Sequence, residues 1–167
     1  AVKRLYAWIR SCVPDGATSA DLSTFKSEKF RDEISDYFDK AFLLTYYLWT
    51  DYFLAVDQRA KNMMLRTWDG LIWYITYYDG DTQMGKRNDC FLVYDYTTDR
   101  DTYDAEAGKY AFEGRDSWLW NLVLANLDAD LKTQAQALRG VLTTSRVLDM
   151  LNVEQAGNWL SLIHISE

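Results

Sequence analysis

The sequence predicts a mostly helical α+β fold in which one β-hairpin is packed among helices. Three observations lead there. Apolar residues recur at helical spacing through the first 56 positions. The period then changes to two short β-favouring runs around Asp69-Gly70. Helical spacing returns from Ser117 onward. The chain has 167 residues, 49% of them hydrophobic and 16% aromatic, enough apolar material for one well-buried core.

Taken in order, residues 1–12 (AVKRLYAWIRSC) place Val2, Leu5, Tyr6 and Ile9 at helical spacing. Pro14 ends that helix, because its ring restricts the preceding residue and it has no N–H to donate. Residues 14–24 are a turn-rich connector. Residues 25–36 (FKSEKFRDEISD) read as a charged amphipathic helix. Residues 38–56 read as a longer helix, apolar nearly all round and so expected to run through the core. Its stripe Phe42, Tyr46, Trp49 and Phe53 is expected to face inward.

The runs at 62–68 (NMMLRTW) and 71–78 (LIWYITYY) flank Asp-Gly. This is a strong hairpin signal, since a type I′ turn needs positive φ at both central residues. Beyond it, CFLVYDY (90–96) reads as a strand and the polar stretch after it as a surface excursion. Helices are expected at 117–127, 129–141 and 144–152. Ser117 would cap the first and Thr144 or Ser145 the last.

A formal charge of −7 argues against a nucleic-acid footprint. No apolar run reaches the length of a membrane span, and the longest, 41–56, is broken by Thr45, Thr50 and Asp51. No signal-peptide pattern opens the sequence. Cys12 and Cys90 are too far apart for a zinc-type spacing and too few for a disulfide framework.

The acids around the hairpin carry the chemistry. The stretch DQRAKN, leaving the long helix, gives Asp57, four residues, then Asn62. After the hairpin come Asp79 and Asp81 in YYDGDTQMG. A hairpin brings its ends together, so an Asn62 amide oxygen and an Asp79 carboxylate can share one cation. Oxygen-only ligands suit Mg²⁺. Asp81 is a second acid for that ion or a hydrogen-bond organiser beside it, and Gly80 and Gly85 allow a tight turn around it. Asp57, on a loop leaving a rigid helix, can accept a proton from a substrate hydroxyl. Lys61, with Lys86 and Arg87, is the cation in reach of a phosphate. The bland readings are a helix-terminal solvated acid for Asp57, a strand start for Asn62, turn formers for Asp79 and Asp81, and a solvated lysine for Lys61. Cys90, with no histidine outside the C-terminal LSLIHISE stretch to activate it, reads as a small buried hydrophobe.

The order helix, Asp-x4-Asn loop, hairpin, Asp is that of the catalytic half of protein-kinase-like enzymes. The stretch DQRAKNMMLRTWDGLIWYITYYDGDTQMG resembles the active-site segment of the spore-coat CotH kinases. The resemblance implies a kinase-like C-terminal lobe, with Asp57 as the catalytic aspartate and Asn62, Asp79 and Asp81 at Mg²⁺. Tyr78 stands where that family usually has Trp. Residues 38–159 also resemble certain tailed-phage tail or minor structural proteins. The resemblance is carried by Ala60-Lys61-Asn62, Trp68 to Tyr74, Tyr78 to Gly85, Asn88-Asp89 and Leu119-Trp120. That similarity implies a virion protein with a CotH-like core, partnered by other virion proteins or by itself, in the virion or the host cytoplasm. ATP would be a cofactor only with an N-terminal lobe, because residues 1–37 hold no glycine-rich strand pair and no phosphate-pairing lysine on one.

The tail LSLIHISE resembles a translated sequencing adapter. On that reading residues 160–167 lie outside the fold, residues 1–159 form one domain continuing past both ends, and His164, the only histidine, is not native. The usual serine- and zinc-hydrolase chemistries are then excluded.

Overall fold

The computed structural model describes residues 1–53, 55, 58–59, 62–80, 117–150 and 152. It is mostly helical, with a two-stranded antiparallel hairpin held among the helices. Helix α1 spans Val2–Cys12 and buries Leu5, Trp8 and Cys12. Val2 and Tyr6, expected inward, are 68% and 61% exposed. Trp8 decides the rotation of the helix. It stacks on Tyr37 at 4.1 Å and on Phe30 at 5.4 Å, and donates Nε1–H to Glu33 at 3.0 Å. That aromatic burial outweighs what Val2 and Tyr6 could contribute.

The expected helix 25–36 is reduced to a six-residue α-helix with a 3₁₀ turn on either side. A 3₁₀ turn, Leu22–Phe25, comes first. Helix α2, Glu28–Glu33, follows, with the Ser27 hydroxyl capping the Phe30 N–H at 3.3 Å. A second 3₁₀ turn, Ile34–Asp36, closes it. Helix α3, Lys40–Tyr52, starts where the Asp39 carboxylate accepts from the Phe42 N–H at 3.0 Å. It stops at Phe53, short of residue 56. There the Ala55 N–H reaches back to the Thr50 carbonyl at 2.8 Å and the chain turns away.

The buried side of α3 is Leu43, Leu44, Tyr46, Tyr47 and Thr50. Of the aromatic stripe only Tyr46 is buried. Phe42 is exposed and Trp49 and Phe53 are intermediate. The reason lies in what covers the helix: Trp120 packs against Tyr46 and Tyr47, with centroids at 6.2 and 5.6 Å, and so fixes which face is interior.

Strands β1 (Met63–Arg66) and β2 (Tyr74–Tyr77) pair in the register Met63↔Tyr77 to Arg66↔Tyr74. The hairpin is present, but its connection is not a two-residue type I′ turn. It runs from Thr67 to Trp73, and of the Asp-Gly pair only Gly70 has positive φ. The Asp69 carboxylate instead accepts the N–H groups of Leu71 and Ile72, at 2.8 and 3.0 Å, and the Thr67 hydroxyl at 3.1 Å. This Asx-type turn satisfies the backbone locally. The Trp73 N–H donates to the Tyr37 carbonyl at 2.7 Å and ties the hairpin to the helical layer.

Helix α4, Trp118–Asn126, lies in the centre and buries Leu119, Trp120, Asn121, Leu122, Val123 and Ala125. Ser117 occupies its N-cap position without a side-chain cap bond. Asn126 fastens its end, accepting the Ser27 N–H at 2.7 Å and donating to the Phe25 carbonyl at 2.8 Å. Helix α5, Asp128–Val141, lies outside, buries only Leu131, and joins α3 through Lys40–Asp130 (2.7 Å) and Gln134–Thr45 (2.8 Å). Residues 144–150 are helical, and the Thr143 hydroxyl, not Thr144 or Ser145, accepts the first-turn N–H of Arg146. Among the described residues no helix is long and apolar enough to cross a membrane. The expected strand 90–96, the excursion after it, Cys90 and residues 153–167 lie outside the described residues.

Candidate functional site

The antiparallel register ends at Met63↔Tyr77, so Asn62 on one side and Tyr78-Asp79 on the other form the mouth of the hairpin. They meet there. Asn62 Nδ2 donates to the Asp79 carbonyl oxygen at 3.2 Å. The contact uses the Asn62 nitrogen and the Asp79 backbone rather than the two side-chain oxygens expected to share an ion. It leaves the Asn62 Oδ1 and the Asp79 carboxylate outside that bond.

Asp79 has a φ of 54°, the only non-glycine residue with positive φ among the described residues. Asp and Asn tolerate this left-handed conformation better than other side chains, but it persists only where neighbours hold it. The neighbours are polar. Gln58 Nε2 donates to the Tyr78 carbonyl at 2.7 Å and to the Asp79 carbonyl at 3.1 Å. The Asp79 carbonyl thus receives two side-chain amides. Gly80 follows directly, and the Tyr77 ring occupies the space that a Cβ there would need.

The loop that carries Gln58 is anchored from below. The Tyr46 hydroxyl, at the core-facing side of α3, lies 2.9 Å from the Gln58 carbonyl and 3.3 Å from its Oε1. Burial, reinforced by the nearness of Tyr77 and opposed by Arg59, raises the Tyr46 pKa, so the phenol stays protonated and donating at neutral pH. Trp120 donates Nε1–H to the Arg59 carbonyl at 3.0 Å. The Arg59 side chain is fully buried, 3.5 Å from an Asp51 carboxylate oxygen and 4.4 Å above the Tyr47 ring. Gln58 and Arg59 are therefore 1% exposed, polar yet interior. Sequence reasoning passed over both, because Gln and Arg in the polar stretch DQRAKN read as surface. A usable signal is the position itself: they lie a few residues beyond a buried helix, within reach of its tyrosines.

Of the residues singled out from sequence, Asn62 and Asp79 are brought together. Asp57, Lys61 and Asp81 lie outside the described residues, as do Gly85, Lys86 and Arg87. Among the described residues no three His, Cys, Asp or Glu side chains converge as a metal cluster. The Asn62 amide oxygen and the Asp79 carboxylate are hard oxygen donors of the kind Mg²⁺ takes, carried by two residues that the bond above joins through other atoms. A second feature lies beside the mouth. A cleft of about 390 Å³ separates α3 from the hairpin, lined by Phe42, Tyr46, Trp49, Arg66, Ile75 and Tyr77. Phe42, Tyr46 and Trp49 of the aromatic stripe face this cleft. Comparisons with protein-family models, with curated proteins and with solved structures give no match for this chain.

Proposed function

We propose that this chain is a structural module of a phage virion, built on a CotH-like, kinase-type C-terminal lobe that keeps a divalent-cation site at the mouth of its hairpin. Asn62 and Asp79, with Asp81, hold the ion, and Asp57 is an acid inherited from the catalytic loop. The observation that carries the reading is the junction of Asn62 with Asp79, maintained by a loop whose polar residues are buried against α3 and α4. The resemblance of DQRAKN and YDGDTQMG to the CotH segment supplies the kinase part of the reading, and the resemblance of residues 38–159 to tailed-phage structural proteins supplies the virion part.

Asn62, Asp79 and Asp81 would hold Mg²⁺, which when bound would supply positive charge to offset carboxylate and phosphate charge. The chain's own contribution is positional: Tyr46 and Trp120 hold the 58–59 loop, and Gln58 and Asn62 hold Asp79. The proposal is tested by thermal denaturation of the chain with and without Mg²⁺ or Mn²⁺, and by sedimentation without nucleotide. Cation stabilisation that vanishes in Asp79→Asn, with self-assembly, supports it. No metal response in the parent chain refutes the cation site. Phosphate transfer from ATP, abolished by Asp57→Ala, would replace the structural reading with an enzymatic one.

A further inference from the structure

We infer that Gln58 is the positioning residue of this site: its side-chain amide sets Asp79 against the 58–62 loop and thereby sets cation affinity. The inference rests on the cation reading above and concerns a residue that touches no ion itself. A glutamine amide carries two N–H donors, and here the nitrogen faces two successive carbonyls, Tyr78 at 2.7 Å and Asp79 at 3.1 Å. Turning the amide over would set its oxygen against both carbonyls, so the chemistry fixes the orientation. The other end is fixed by Tyr46, which meets the Gln58 carbonyl and Oε1. One side chain thus connects the core helix, the loop after Asp57 and the left-handed residue Asp79.

Asn62 gives Asp79 a single bond at 3.2 Å from an intermediate position, whereas Gln58 acts from the interior, where water competes least. Asp79 at φ 54° relaxes once its carbonyl loses that buried donor, and its carboxylate moves with the backbone. Residues that orient metal ligands typically change affinity by about 10–100-fold when replaced, and Gln58 stands in that relation to Asp79.

The test uses Mn²⁺ alone as probe, its free concentration read by electron paramagnetic resonance, together with amide exchange by mass spectrometry without metal. Gln58→Met keeps the volume and removes both donors. The expected result is Mn²⁺ uptake by the parent chain, its loss in Asp79→Asn, and about tenfold weaker uptake in Gln58→Met. Exchange at residues 78–80 should be faster in Gln58→Met and unchanged in α1. Parent-like affinity in a folded Gln58→Met, or unchanged exchange at 78–80, overturns the inference. Should Gln58→Met fail to fold, Tyr46→Phe, which removes only the anchor beneath Gln58, must shift both readouts the same way by a smaller amount; no shift overturns it equally. If the parent chain takes up no Mn²⁺, the cation reading falls, and the positioning of Asp79 by Gln58 is then decided by the exchange data alone.

Discussion

Asn62 and Asp79, 17 residues apart in the chain, are joined by a 3.2 Å hydrogen bond from the Asn62 amide to the Asp79 carbonyl across the mouth of the hairpin. The bond closes the hairpin beyond its last strand pair and sets the two residues at one place. It does so through the backbone of Asp79, so the conformation of that residue governs the site.

The first prediction concerns that conformation. Asp79→Val should lower stability by roughly 1–2 kcal/mol, because a β-branched residue resists positive φ. Asp79→Gly should leave stability unchanged or slightly raised, since glycine adopts that φ freely. Both should abolish any Mg²⁺-dependent stabilisation. Urea titrations with and without Mg²⁺ separate the two effects. Equal stability for the Val and Gly variants would contradict the strained backbone.

Trp120 should be the most sensitive position of α4. It is fully buried, packs on Tyr46 and Tyr47, and caps the Arg59 carbonyl. Trp120→Phe should cost about 2–3 kcal/mol, combining lost volume with a buried carbonyl left without its donor. Chemical denaturation monitored by far-UV circular dichroism measures this. A cost below about 1 kcal/mol would mean that the indole N–H contributes little.

The hairpin connection should respond to acid. The N–H groups of Leu71 and then Ile72 hold the Asp69 carboxyl below its usual range, with a further bond from Thr67. A depressed folded pKa means that the unfolded chain takes up its proton first as pH falls. The contribution of the turn is therefore complete above the unfolded value of about 4 and is lost as pH falls through the folded value. Amide shifts of Leu71 and Ile72, followed by NMR from pH 6 downward, should move with a midpoint below about 4. Asp69→Asn should remove that titration.

Gly80 should resist even alanine. The Tyr77 ring fills the Cβ position, and that ring also meets Trp49 edge-on at 4.7 Å. Gly80→Ala should swing Tyr77 outward and cost about 1 kcal/mol through the lost aromatic contact. In Tyr77→Ala the same glycine change should be nearly free. A double-mutant cycle measures the coupling, and additive effects would contradict the proposed crowding.

The aromatic residues divide what was legible from what was not. Helical spacing correctly marked α1, α3 and α4 as amphipathic or buried, and the Asp-Gly pair correctly marked a hairpin at 62–78. Within those elements the facing was misread twice. Leu5 turns inward in α1 as its spacing predicts, but together with Trp8 and Cys12 rather than with Val2 and Tyr6, and only Tyr46 of the α3 stripe is buried. An apolar helix carries more than one candidate inner face, and periodicity does not say which one a neighbour will cover. The turn type failed for a related reason: a carboxylate at Asp69 that can accept two N–H groups competes with the I′ geometry, and the winner depends on where Trp73 is held by Tyr37.

The sequence by itself determined the helical and hairpin elements, the acidic balance and the proximity of Asn62 to Asp79, because these follow from local periodicity, side-chain charge and the return of a hairpin on itself. Only the tertiary structure decided that Gln58 and Arg59 are interior, that Tyr46 and Trp120 anchor them, and that Asp79 is held through its backbone. Burying the Gln58 side-chain amide and the Arg59 backbone carbonyl becomes favourable only when distant groups satisfy them. Those partners, an amide donor against a carbonyl from 21 residues away and an indole from 61 residues away, have no signature in the local sequence.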